Sequence, residues 1–195
     1  HNRTYTGEGQ MVDVALVDSA VASLEIINMI YFTENRLPQR IGNRYEAIYP
    51  YDSFQAKDSM VIIAVGNDKL WTLLCNIMGR PDLIEDPRYK LNRDRVKNNP
   101  EVKVIVEEWT STRTVSEIVD TLLAAGIPSA PIYNIEQVSQ DPHIAGAREM
   151  FVEVHHPKAG PTKLTGPHIK LSETKASVRT PSPSLGEHNH DVLSS

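Results

Sequence analysis

The chain has 195 residues, 40% of them hydrophobic and 23% charged, which is typical of a globular protein long enough to bury a core. Its 20 basic and 25 acidic residues leave a formal net charge of −5. We therefore expect no nucleic acid as a partner, because phosphate binding requires a surplus of Lys and Arg. No apolar run approaches the ~20 residues that span a bilayer, so we also expect no membrane partner.

The single cysteine, Cys75, excludes a disulfide within the chain. It lies in the apolar run LWTLLCNIM, where we expect a buried thiol. The first eleven residues are polar and unlike a signal peptide. These features favour a reducing, cytoplasmic location.

The first predicted elements are a strand followed by a helix. Apolar and other residues alternate over 12–17, which predicts a strand. Residues 18–32 repeat apolar side chains at three- and four-residue steps, which predicts a helix capped by Asp18 or Ser19. Residues 33–52 show no clean period, and long irregular connections of this kind are usually linkers or functional loops.

A compact unit of hairpin and helices is predicted next. SFQAKDSMVIIAVG (53–66) reads as a β-hairpin. A helix over 70–78 follows, capped by Asn67 or Asp68 and ended by Gly79. Two further helices are expected at 92–98 and 101–112. We interpret the basic cluster Arg88 to Lys97 as a solvated helix face.

The clearest helix start in the sequence is at Thr114. Glu117 stands three residues later and completes a capping box, with Ile118, Leu122 and Leu123 as the predicted core face. Later elements are expected in order: a strand, two short helices, a hairpin around KAGP, a polar extended segment and a short terminal helix, at 130–134, 136–140, 142–149, 151–166, 172–184 and 185–193.

The loop from Pro38 to Tyr51 is the best site candidate on the residues alone. The guanidinium groups of two arginines can each donate two hydrogen bonds to a carboxylate or a phosphate. The tyrosine rings combine an apolar surface with a hydroxyl, and a glycine lets a ligand approach the backbone closely. The candidate substrate-contacting and CoA-contacting residues are Arg40, Gly42, Asn43, Arg44, Tyr49 and Tyr51. The alternative is a linker whose arginines pair with acidic neighbours.

Other motifs point to no chemistry of their own. The glycines of GEGQ precede the predicted strand, whereas a dinucleotide fingerprint places them after it. His155-His156 and His188-x-His190 lack a completing set of ligands, so we expect no metal. No G-x-S-x-G elbow is present, which disfavours serine hydrolase chemistry.

Seven segments follow one another in the order of a known family. They are GEGQMVDVALVDSA (7–20), PQRIGN (38–43), YPYDSFQAKD (49–58), IIAVGNDKLW (62–71), DPRY (86–89), AAGIPSAPIYNIEQVSQDP (124–142) and LGEHNHDVL (185–193). Together they resemble the class III CoA-transferase family, which includes formyl-CoA transferase, carnitine CoA-transferase and alpha-methylacyl-CoA racemase. The resemblance covers essentially the whole chain but only the C-terminal portion of the family pattern.

The resemblance implies an α/β fold: the end of a Rossmann-like large domain, a linker, and an α+β small domain with a short antiparallel sheet. The implied division is the last strand and exit helix of the large domain, a linker and active-site loop, the small domain, and a return segment, at 1–32, 33–52, 53–145 and 146–195. Family members are about twice this length and form interlocked homodimers. The chain is therefore expected to be a fragment or one half of a split protein.

The implied activity is transfer of CoA between carboxylic acids through covalent aspartyl intermediates. The family's catalytic aspartate precedes the segment at 7–20, so no residue of this chain matches it, and the chain alone is expected to be inactive. The implied substrates are an acyl-CoA thioester and a carboxylic acid, with no permanently bound cofactor. The missing N-terminal half and a second copy are the implied protein partners.

Two departures from the family pattern bear on the substrate. The formyl-CoA enzyme has a run of glycines where this chain has residues 44–48, which disfavours formate or oxalate. In the racemase a glutamate follows the segment like AVG, whereas this chain has Asn67 and Asp68. The alternatives left open are an acyl-CoA racemase of the same family and a non-catalytic subunit of a split CoA-transferase.

Overall fold

A computed structural model describes residues 2–194 and the side chains from residue 3 onward. The α-helices are α1 Asn2–Thr6, α2 Leu16–Ala22, α3 Glu25–Glu34, α4 Asp68–Met78, α5 Asn92–Lys97, α6 Asn99–Thr110, α7 Val115–Ala124, α8 Ile135–Gln140 and α9 Asn189–Leu193. The strands are β1 Tyr51–Gln55, β2 Met60–Ala64, β3 Ser129–Pro131, β4 Phe151–His156 and β5 Gly160–Thr165. A 3-10 turn spans Pro81–Leu83 and a π-helical turn spans Pro142–Ala147.

The central sheet has the order β1-β2-β3 and is antiparallel throughout. Phe54 pairs with Val61, and Val61 pairs in turn with Pro131. Proline is tolerated there because β3 is an edge strand. The hairpin predicted at 53–66 is thus confirmed, and the predicted strand at 130–134 is shorter and begins at Ser129.

Helices α4, α6 and α7 pack on this sheet and complete one apolar core. The core residues are Tyr49, Phe54, Ala56, Val61, Ile63, Val65, Trp71, Leu74, Cys75, Leu83, Tyr89, Val102, Val106, Trp109, Ile118, Leu122 and Ile127. Cys75 is buried as predicted. Leu123 was predicted to face the core, but it is 54% exposed, because the buried stripe of α7 passes through Ile118 and Leu122 only.

Helix boundaries in this unit follow the predicted caps. Asn67 caps α4 by accepting a hydrogen bond from the amide of Leu70 at 2.9 Å, and Gly79 ends the helix at φ +72°. Thr114 and Glu117 form the predicted capping box of α7. The sequence therefore specifies these ends locally, through side chains that satisfy the free amides of the first turn.

Arg95 corrects the interpretation of the basic cluster as a solvated face. It lies on α5 and is fully buried. Its guanidinium donates to the carbonyls of Tyr49, Tyr89 and Lys90 at 2.8, 2.8 and 3.0 Å. It also pairs with Asp68 at 2.7 Å. This arginine ties the start of the small unit to α4 and α5.

The N-terminal segment corrects the predicted strand at 12–17. Residues 11–15 have no regular structure and α2 begins at Leu16, with Ala15 at its N-cap position and no side-chain cap. Alternation of apolar residues is a local signal, but a strand also needs a hydrogen-bonded neighbour, and no described strand pairs with these residues. The predicted helix at 18–32 is found as two helices, α2 and α3, which meet at 65°.

The C-terminal part contains the predicted hairpin, with β4 and β5 paired from Phe151 and Thr165 to His156 and Gly160. Residues 172–184 carry no helix or strand, as predicted, and α9 lies within the predicted terminal helix. No single helix among residues 2–194 is long and apolar enough to cross a membrane. Only α2 and α3 taken together reach that length and composition.

Candidate functional site

A cleft of about 530 Å³ separates the N-terminal part of α3 from the loop that precedes β1. We call it the α3 cleft. Its lining consists of Ser23, Leu24, Glu25, Ile26, Ile27, Ile30, Gln39, Arg40, Ile41, Gly42, Arg44, Tyr45 and Glu46. The volume falls within the ~300–1,000 Å³ of small-molecule sites. The lining from α3 and the residues just before it is mostly apolar, with Glu25 as its charged member, and the loop contributes Arg40, Arg44 and Glu46.

The loop is held in place on both sides of Arg44. The side-chain amide of Asn43 donates to the Ser53 hydroxyl at 3.2 Å. The Tyr45 amide donates to the Tyr51 carbonyl at 2.8 Å, and the two tyrosine rings pack with centroids 5.4 Å apart. Arg44 thus extends from backbone that is fixed to the first strand of the sheet.

Glycine is required at one position of this loop. Gly42 has φ +71°, in the left-handed region that side chains with a Cβ disfavour. A Cβ built there would meet no atom within 4 Å. The constraint is therefore the backbone conformation rather than the space.

The three arginines of the loop region differ in their electrostatic partners. Arg36 donates to Glu34 at 3.0 Å and to Glu46 at 2.5 Å, and these hydrogen bonds raise its pKa. Within the described residues, neither Arg40 nor Arg44 has a carboxylate within ion-pair distance. The alternative of a linker with paired arginines thus fits Arg36 and does not fit the two arginines that line the cleft.

Tyr49 and Tyr51 occupy different environments. Tyr49 is fully buried beside Phe54, and its hydroxyl has no hydrogen-bond partner among the described atoms. Burial, reinforced by the negative charge of Asp52, raises the pKa of this hydroxyl, and the positive charge of Arg44 lowers it. Tyr51 is 39% exposed and supports Tyr45 at the rim of the cleft.

A polar cluster lies behind the loop, on β1 and α6. The Lys103 ammonium pairs with Asp52 at 3.1 Å and donates to the Ser53 carbonyl at 2.8 Å. It also lies 5.2 Å from the centre of the Phe54 ring. Asp52 accepts a 2.7 Å hydrogen bond from the Ser53 amide. Since the Ser53 hydroxyl also accepts a hydrogen bond from Asn43, this cluster holds in place the part of β1 to which the loop is attached.

The combination of arginines and apolar side chains in the α3 cleft can bind an anion that carries a short apolar segment.

The described residues offer no activated nucleophile. The Cys75 thiol lies in the core, where burial raises its pKa to about 12, so this thiol is inert. Within residues 2–194, no three His, Cys, Asp or Glu side chains are grouped to hold a metal ion. Asp68, which with Asn67 stands where the racemase has its glutamate, pairs with Arg95.

The structure thus brings Arg40, Gly42 and Arg44 to one cleft. Asn43 and Tyr51 anchor the loop, and Tyr49 lies in the core. Sequence reasoning did not identify α3 as the apolar wall. The helical repeat of Leu24, Ile27 and Ile30 carried that signal, but the repeat does not specify which surface the stripe faces.

Comparison with known proteins assigns a family to this combination of a small α+β unit, a linker loop and an arginine-lined cleft. Residues 1–189 match the model of CoA-transferase family III. The chain belongs to this family. The comparison thereby confirms the resemblance found in the sequence.

Two curated relatives illustrate the match. The chain is 39% identical over 194 residues to the succinyl-CoA:mesaconate CoA-transferase of Haloarcula marismortui, covering 99% of the chain and 48% of the relative. It is 31% identical over 188 residues to the succinyl-CoA:glutarate CoA-transferase of Homo sapiens, covering 96% and 43%. The chain spans about half the length of these relatives.

A solved structure supports the fold. The crystal structure of a CAIB/BAIF family protein from Brucella suis superimposes with a TM-score of 0.79 at 29% identity. The superposition covers 99% of this chain and 50% of that one. The predicted α/β fold class is therefore confirmed.

Proposed function

We propose that this chain is the substrate-framing part of an enzyme that transfers CoA from an acyl-CoA thioester to a carboxylic acid. The observation that carries the proposal is the family match over residues 1–189. The α3 cleft supports it, because two arginines that have no carboxylate partner within residues 2–194 line it together with apolar residues of α3. An acid with a short carbon chain is complementary to such a surface.

The proposed chemistry follows the family and uses an aspartate outside these residues. Its carboxylate attacks the thioester carbonyl of the donor, the C–S bond breaks, and a mixed anhydride and CoA thiolate result. The thiolate then attacks the aspartyl carbonyl and releases the donor acid, which leaves an aspartyl-CoA thioester. The acceptor carboxylate repeats these steps in reverse order, which forms the new acyl-CoA and regenerates the aspartate.

The substrates of the relatives narrow the class of acid. Succinate, mesaconate and glutarate, which appear in the names of the two relatives, are dicarboxylic acids. We propose the same class for this protein. In a dicarboxylic acid one carboxylate reacts with the acyl-enzyme and the other remains free. The cationic side chains of the loop can bind this free carboxylate.

The proposed organisation keeps the four segments of the sequence interpretation. Residues 1–32 belong to a large domain, 33–52 form the linker and active-site loop, 53–145 form the small domain, and 146–195 return toward the large domain. The small-domain assignment rests on the core, whose buried apolar residues all lie between Tyr49 and Ile127. A second copy and the remaining half of the family fold are the proposed protein partners.

The test is CoA exchange by the intact protein that contains this chain. Succinyl-CoA is mixed with glutarate or mesaconate, and the new thioesters are separated by chromatography. We expect exchange with at least one dicarboxylate, and a hydroxylamine-sensitive acyl label on an aspartate outside residues 1–195. Residues 1–195 alone serve as the control and are expected to show no exchange.

Two outcomes would contradict the proposal. Labelling of an aspartate within residues 1–195, in the absence of any other chain, would refute the position of the nucleophile. Absence of exchange with every acid, together with wash-out of the thioester's α-hydrogen into deuterated water, would indicate a racemase instead.

A further inference from the structure

We infer, building on the proposed function, that Arg44 binds the carboxylate of the acid that does not react, with Arg40 assisting. These two residues would then make the enzyme select dicarboxylic over monocarboxylic acids. The juxtaposition that carries the inference is two arginines, without a carboxylate partner among the described residues, that line one cleft together with the apolar side chains of α3.

The first argument is the difference between Arg36 and Arg44. Arg36 is neutralised by two carboxylates, so it has little attraction left for a ligand. Arg44 is half-buried and, within the described residues, has neither a carboxylate nor a hydrogen-bond acceptor assigned to it. A half-buried guanidinium with free donors is suited to forked binding of a carboxylate.

The second argument is that Arg44 is oriented before any ligand binds. Asn43 and Tyr45, on either side of it, are both hydrogen-bonded to β1. An arginine on fixed backbone loses less freedom on binding than one on a mobile loop. Arg40 is exposed and lies on the other side of Gly42, so it can add charge with less geometric constraint.

The third argument concerns the acidic groups that share the cleft. Glu46 lies on the lining but is occupied by Arg36 at 2.5 Å. Glu25, at the start of α3, is the remaining carboxylate of the lining. The lining charges with Arg36 therefore sum to three positive and two negative, and the cleft retains a net attraction for an anion.

The fourth argument is the apolar wall. Leu24, Ile27 and Ile30 line the same cleft as the arginines. Methylene groups between two carboxylates have a favourable surface there, since burying apolar area is worth about 25 cal/mol per Å². The phosphates of CoA are the other anions that the enzyme would meet, and 3′,5′-ADP is the probe that distinguishes them from a carboxylate.

The experiment measures selectivity in the intact protein. Succinyl-CoA is the donor, and kcat/KM is measured for glutarate and for butyrate, which lacks the second carboxylate. We expect Arg44→Met to lower the glutarate-to-butyrate ratio by about 10- to 100-fold, the effect of losing a charge-assisted hydrogen bond. Arg44→Lys should lie in between, because a lysine keeps the charge without the fork.

Binding arms identify the anion. Equilibrium dissociation constants for glutarate, butyrate and 3′,5′-ADP are measured calorimetrically with the intact protein and with Arg44→Met. We expect Arg44→Met to weaken the binding of glutarate and to leave the dissociation constants for butyrate and 3′,5′-ADP unchanged. A loss confined to 3′,5′-ADP would assign the cleft to CoA phosphates and overturn the inference. Equal losses for glutarate and butyrate would overturn it too, since Arg44 would then act on the reacting carboxylate.

Controls separate this inference from the proposed function. Arg93→Met removes an arginine that is 81% exposed and should change neither the ratio nor the binding constants. Exchange that keeps its dicarboxylate preference in Arg44→Met refutes the inference alone. An intact protein that binds glutarate through Arg44 but exchanges no CoA refutes the proposed function alone. Tryptophan fluorescence of each variant in urea confirms that the fold is retained.

Discussion

Replacing Arg95 with methionine tests how the small unit is held together. The guanidinium is fully buried, donates to three main-chain carbonyls, pairs with Asp68 and lies 5.1 Å from the centre of the Trp71 ring. Methionine fills most of the same apolar space without donating any hydrogen bond. The substitution therefore isolates the polar contribution of Arg95 from its packing.

The expected loss is about 3–5 kcal/mol of unfolding free energy. Hydrogen bonds to charged groups contribute about 1.5–3 kcal/mol each, and carbonyls left unpaired in the interior cost about 1–3 kcal/mol each. The carboxylate of Asp68 is 51% exposed, so its ion pair adds less than about 1 kcal/mol. Losses in one network are not additive, and removal of one partner of a buried charge network typically costs about 3–5 kcal/mol.

The assay is urea unfolding followed by tryptophan fluorescence. Both tryptophans of the chain, Trp71 and Trp109, lie in this core, so the signal reports on this unit. With a slope of about 1.5 kcal/mol/M, the midpoint should fall by about 2–3 M. Arg93→Met, on the same helix but exposed, should shift it by less than about 0.5 kcal/mol.

A second variant keeps the test informative if Arg95→Met does not fold. Arg95→Lys retains the charge but cannot reach all four acceptors, so its loss should be smaller than that of methionine. The reasoning is refuted if Arg95→Met stays within about 1 kcal/mol of the unmodified protein. It is equally refuted if lysine and methionine at this position have the same effect.

Three further predictions concern the same unit. Native Cys75 should react with a thiol reagent at pH 8 at least ~100-fold more slowly than in urea, because burial raises its pKa to about 12; fast native labelling would contradict this. Thr114→Ala should cost about 1 kcal/mol by removing the cap of α7, with Ser116→Ala in the first turn of the same helix as the milder control in thermal melts. Hydrogen bonds from Thr114 lower the pKa of Glu117 below its ordinary value. The stabilising effect of the Glu117 carboxylate is therefore present above the pKa of the unfolded state and is lost as pH falls through the pKa of the folded state. The difference in unfolding free energy between the native protein and Glu117→Gln should thus shrink in acid, and a difference independent of pH would refute this prediction.

Local signals in the sequence predicted the small unit well. The turn between β1 and β2, the Asn67 cap, the Gly79 terminus and the Thr114 capping box depend on residues within a few positions of one another. Their chemistry is readable without knowledge of the fold, because each satisfies backbone groups of its own segment.

The failures depend on contacts distant in sequence. The alternating pattern at 12–17 predicted a strand, yet pairing decides whether one forms. Arg95 was interpreted as one of several surface cations, but its guanidinium is buried and donates to the carbonyl of Tyr49, which lies 46 positions earlier in the chain. The α3 wall was missed for the same reason, since the apolar period of a helix identifies a face and not the opposing surface.

The loop at 38–51 was selected as the site candidate from residue type alone. Two arginines, a glycine and three tyrosines in an unpatterned stretch predicted a binding loop. The sequence did not distinguish Arg36, which is paired, from Arg44, which is not. It also could not predict that Tyr49 belongs to the core rather than to the cleft surface.

The separation between cleft and core has a consequence for how such a protein diversifies. The α3 cleft is lined by residues 23–30 and 39–46, whereas the buried apolar residues begin at Tyr49. Substitutions at the lining positions other than Gly42 therefore leave the buried core unchanged. Under the proposed function, natural selection can change which acid is preferred by single substitutions in the cleft, without altering the helices and sheet that form the core.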